Sequence, residues 1–143
     1  MSTVFSKIVS AVIASLAAQP AVCKRIYRAR TKQFPAQDIE AISVAYGRVR
    51  RNDQTIRGAP NDYQTLIYVD LFARSSTESA DVAVDPLLER VGERMVLDTT
   101  LGGIVADLNF LELDPENDSE GMETGWIRLT FIAEHRTTNS LFS

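Results

Sequence analysis

The chain has 143 residues, a formal net charge of -4 and one cysteine, Cys23. This length fits one domain, residues 1–143, able to bury a full core, and a lone cysteine excludes an internal disulfide. The mild negative charge gives no bulk attraction to nucleic acid, and no stretch reaches the ~18 apolar residues of a membrane span.

Residues 4–18 read as an amphipathic helix. Phe5, Ile8, Val9, Val12, Ile13 and Leu16 recur at three- and four-residue steps, while Ser6, Ser10 and Ala17 fall on another side. A secretory signal needs no such polar stripe, and the helix is the better reading. Residues 22–29 read as a short strand and 39–50 as a second, in which Ile42, Val44 and Tyr46 alternate with small residues. The polar stretch 51–62 joins two strand patterns and reads as a long hairpin tip. Residues 62–74 are the strongest strand. They are apolar on both faces around Leu66 to Leu71, which places this strand inside the sheet.

A second helix follows, with an apolar stripe of Leu87, Leu88, Val91 and Met95. Pro86 leaves two starts open: near Ser79 with a kink, or at Pro86 with Asp85 as cap. Residues 103–113 and 124–136 read as the last strands, joined by the acidic tip 114–124. The order α-β-β-β-α-β-β predicts an α+β domain: a mainly antiparallel sheet of about five strands with two helices on one face.

The glycine pair Gly102-Gly103 raises the question of a phosphate loop. Phosphate-binding glycine loops lie between a strand and the helix that follows, and a P-loop also needs a lysine. Here the order is helix, glycines, strand, and no lysine follows. The pair reads as a joint that lets the chain turn into the sheet. A calcium loop fails in the acidic tip as well. Such a loop needs Gly at its sixth position and Glu at its twelfth. Starting at Asp114 places Ser119 and Gly125 there, and starting at Glu116 places Gly121 and Ile127. A Cys23–His135 pair has no supporting motif, and His135 reads as a polar surface residue. No catalytic, cofactor or metal site is expected.

The charge layout is more informative. Residues 24–57 hold nine Lys or Arg against three acids, and residues 107–123 hold seven acids and no base. Opposite charges on separate hairpins suit a head-to-tail contact between identical subunits, which closes into a ring when its rotation closes. Arginines interleaved with Tyr27 and Tyr46 leave a nucleic-acid-binding module as a rival.

The element order, the strands VAYGRVRR and TLIYVDLFAR, the joint DTTLGGIVADL and the closing strand GWIRLTFIAEHRTT together resemble the phage tail terminator family, the minor tail protein U family of long-tailed phages. The resemblance runs from residue 4 to about 138 and rests on order and soft local patterns. It implies a non-enzymatic protein of the virion tail, assembled in the host cytoplasm. Its members form a six-membered ring that caps the head-proximal end of the tail tube, stops polymerisation and offers a surface for the head. The implied partners are the chain itself, the tail tube protein and a head-completion or connector protein, with no membrane and no specific nucleic acid. On this chain Arg48, Arg50, Arg51 and Arg57 are the first candidates for contacts with a neighbour or the tube. Asp114, Glu116, Asp118 and Glu120 are the second. Another head-tail joining protein is the nearest alternative, and a small ligand-binding enzyme a more distant one.

Overall fold

A computed structural model describes residues 2–29, 39–51, 61–75, 77–117, 124–137 and 141–143. The elements are α1 (Val4–Ala17), β1 (Ile26–Arg28), β2 (Glu40–Arg51), β3 (Asn61–Arg74), α2 (Ala80–Met95), β4 (Asp107–Asn117) and β5 (Thr124–Thr137), in the expected α-β-β-β-α-β-β order. The strands form one sheet in the order β1-β2-β3-β5-β4. All pairings are antiparallel except that of β1 with β2.

The apolar steps of α1 bury Val4, Phe5, Ile8, Val9, Val12 and Leu16. Thr3 caps its start, its hydroxyl accepting the Ser6 amide at 3.3 Å. The polar stripe also has a partner. Arg28 of β1 donates to the Ser10 hydroxyl at 2.8 Å and to the Ser6 hydroxyl at 2.7 Å, tying α1 to the sheet edge. At the far end Arg94 of α2 donates to the carbonyls of Ser15, Ala18 and Pro20. One guanidinium thereby satisfies acceptors that the end of a helix leaves open.

The first strand is shorter than its sequence pattern: only Ile26–Arg28 pairs, whereas residues 22–29 read as strand. The reason lies in Arg90, whose Nε donates to the Val22 carbonyl at 3.0 Å while Nη2 meets Glu40 at 2.7 Å. Val22 is thus held by a helix side chain and not by a ladder. Strand β3 is central, flanked by β2 and β5, as its two-sided apolar run requires.

Alternation along the strands fixes the two faces. Ile42 and Val44 of β2, Ile67, Val69 and Leu71 of β3, and Ile127, Leu129, Phe131 and Ala133 of β5 are buried on one face and share one core with both helices. The opposite face carries Tyr68, Asp70, Arg128 and Arg136.

Helix α2 starts at Ala80, after Ser79, and runs through Pro86. Its buried stripe is Val84, Leu87, Val91 and Met95. Val84 lies before the proline, so starting at Pro86 would forfeit its burial; that gain holds the first turns in place despite the lost amide. Gly125 of β5 makes the seat. A Cβ there would collide with the Ala80 carbonyl and lie 2.9 Å from Val84 Cβ.

Strand β4 begins at Asp107, four residues later than the pattern suggests, and runs on to Asn117, through what reads as the acidic tip. The preceding joint is a self-closed loop. The Asp98 carboxylate accepts the amides of Thr100 at 3.1 Å and Gly102 at 2.8 Å, together with the Thr100 hydroxyl at 2.8 Å. Those bonds hold its pKa below the usual value. Gly102 and Gly103 have φ of 72° and 92°, where a side chain is strained. The Thr100 and Gly102 amides are occupied by the Asp98 carboxylate and the Gly103 amide by the Thr100 carbonyl, so these glycines serve geometry.

Candidate assembly surface

Strand β4 forms one border of the sheet, paired only with β5 among the described residues. Helix α2 packs mainly on β3 and β5. Phe110 lies opposite Phe131, ring centroids 5.6 Å apart, and Leu113 lies opposite Leu129; both therefore point to the helix-bearing face. They remain 56% and 40% exposed. The register slips between Phe110 and Glu112, which adds Leu111 as a further exposed apolar residue. Pro115 fits such a border because it has no amide to donate. Glu112 and Asp114 are exposed on the opposite side of the strand. A long, apolar border strand is what single proteins normally avoid and what assembling ones use.

The far end of β2 is the second such feature. β1 pairs only with Ile42, Ser43 and Val44, so among the described residues the stretch beyond has no strand on that side. The register slips between Tyr46 and Val49, which places Arg48 in a bulge. Arg48, Arg50 and Arg51 are all exposed, and among the described residues none has an acidic partner. On the helix-bearing side, Tyr46 and Val49 line a hollow of about 510 Å³ with Phe5, Leu141 and Phe142, bordered by Arg51. The Phe142 ring lies 5.7 Å from that of Phe5, and the Tyr63 hydroxyl holds the Leu141 carbonyl at 2.6 Å.

The structure thus gathers three predicted basic residues at one end of β2 and places Asp114 on β4. Glu116 lies in β4, with its side chain outside the described residues. Arg57, Asp118 and Glu120 also lie outside them. Among the described residues Arg48, Arg50 and Arg51 do not meet Asp114 within one chain, because β3 and β5 stand between β2 and β4. Phe110, Leu111 and Leu113 escape the sequence reading. Their alternation is visible, but only the absence of a helix over β4 makes them exposed.

Elsewhere the polar groups answer one another. Arg128 grips Asp70 with two bonds of 2.8 and 3.1 Å and lies 4.4 Å from the centre of the Tyr68 ring. Arg136 grips Asp62 at 2.7 and 3.3 Å and holds its carboxyl below the usual range. An open groove of about 540 Å³ beside them is lined by Asp62, Gln64, Glu134 and Arg136, already paired among themselves. Among the described residues no cluster suited to a metal ion occurs.

His135 departs from its surface reading. It is 4% exposed, shares a 2.6 Å hydrogen bond with the Thr65 hydroxyl, and stacks on Tyr63. It sits near the start of β3 in register, where α1 and residues 141–142 close over the sheet. Cys23 lies beyond the opposite side, next to β1, and its thiol reaches the Arg25 carbonyl at 3.5 Å. Two strands separate it from His135, and burial pushes the thiol's pKa up, away from the reactive thiolate.

Comparison with known proteins gives no matching family model and no matching curated protein. Among solved structures, the chain is similar in fold to one described as the virion of a native gene transfer agent particle. The two share 15% sequence identity and a TM-score of 0.62 over 90% of this chain and 94% of the other.

Proposed function

We propose that this chain is a non-enzymatic structural protein of a phage virion, which forms a six-membered ring on the head-proximal end of the tail tube. The fold it shares with a gene transfer agent virion chain over almost the full length of both carries the reading. The tail-terminator-like order of elements and local patterns narrows it to the tail. In this reading the ring matches the growing end of the tube on one face and presents no site for another tube ring on the other. Polymerisation stops there, and the free face receives a head-completion or connector protein.

Arg48, Arg50, Arg51 and Arg57 on one side, and Asp114, Glu116, Asp118 and Glu120 on the other, are proposed as contacts with neighbouring subunits or the tube. Opposite charge sets register and speeds encounter. No cofactor or chemical step is required.

Tail length tests the reading. A phage lacking this chain is expected to produce overlong tail tubes under the electron microscope. Tails of normal length without heads would assign the chain to the neck instead.

A further inference from the structure

The two uncovered borders of the sheet complement each other in shape, face and charge. At β4, Phe110 and Leu113 project from the helix-bearing face, and the acids Glu112 and Asp114 from the opposite face of the same border. At the end of β2, the hollow of about 510 Å³ opens on that same face with Arg51 at its rim, and Arg50 points to the opposite face. We propose that the β4 border of one copy lies edge to edge with the β2 end of the next, Phe110 and Leu113 packing alongside Tyr46, Val49 and Phe142 on one continuous apolar face. On the other face Glu112 and Asp114 then approach Arg50, with Arg51 close by across the same seam. This deepens the ring reading above and rests on it for the identity of the partner, a second copy of this chain.

Three observations favour that occupant. The projecting side chains and the hollow lie on the same face at opposite sides of one sheet, so copies set edge to edge bring them side by side without turning the sheet over. Each apolar patch carries one sign of charge and the two signs are opposite, which attracts the unlike patches and keeps like patches apart. The two patches differ, so the contact is head to tail; it propagates round a ring and does not stop at a two-fold dimer. Burying Phe110 and Leu113 also resolves the hazard of an exposed apolar border strand.

The test uses two exposed charge-swapped variants of the full chain, E112R/D114R and R50E/R51E. Each should fold like wild type by circular dichroism. Each alone presents like charges across every contact, and its self-association is expected to weaken at least about tenfold by sedimentation velocity. An equimolar mixture restores opposite charges at every contact in an alternating arrangement, which an even-numbered ring accommodates. Assembly should then return to near the wild-type level.

Variants that assemble alone like wild type, or a mixture that fails to recover, would overturn this contact while leaving the ring reading standing. A wild-type chain that stays monomeric at every concentration would overturn both.

Discussion

His135 is a base in a place that cannot accommodate its charge. Phe5, Tyr63 and the β3–β5 ladder enclose it, its Nε2 is engaged with Thr65, and its Nδ1 has no hydrogen-bond partner among the described residues. Burial lowers its pKa from 6.5 to about 4. The folded chain therefore refuses a proton that the unfolded chain accepts. Stability is full above the unfolded pKa and falls as pH drops from about 6.5 towards 4, by about 3 kcal/mol in total for that shift. Urea unfolding of wild type and His135→Gln at pH 7.5, 5.5 and 4 checks this. The variant is expected to start less stable and to lose less between the first and last pH. Parallel losses in the two proteins would mean that His135 takes up its proton freely. A lone histidine in a strand reads as surface because its sequence neighbours, Glu134 and Arg136, are charged. Both point to the opposite face, and only the register with Tyr63 reveals the burial.

At the scale of elements, the parts that announce themselves are those whose apolar period matches their burial. Strand β3 is legible because its two-sided apolar run needs cover on both sides, and α1 because its stripe repeats at helical spacing. Strand β1 and the ends of β4 are less so. Arg90 and Arg94 reach across to hold backbone carbonyls of the segment around residues 15–22, and no local pattern reports a distant arginine. The start of β4 is set by how far the Asp98 loop runs, and its end by the tolerance of a border strand for Pro115. Helix α2 is set by packing: burial of Val84 outweighs the proline. That packing depends on Gly125, and Gly125→Ala is expected to destabilise the fold by about 1–3 kcal/mol, because the carbonyl in its way is main chain and the helix start must shift. Thermal unfolding measures the loss, and unchanged stability would show that α2 does not bear on β5 as described.

At the scale of the whole molecule, the sheet has a basic and an acidic end, each with apolar surface left uncovered. The charge division is legible in the sequence, since it follows from where the arginines and acids fall. The apolar half of each surface is not, because it depends on where the helices stop. The proposed head-to-tail ring would use both ends in every subunit. Native mass spectrometry of the purified chain across concentration and salt tests this most directly. A six-subunit species that grows with concentration and recedes as salt screens the opposed charges is expected. A chain that remains monomeric throughout, or that stops at a salt-insensitive dimer, would contradict it.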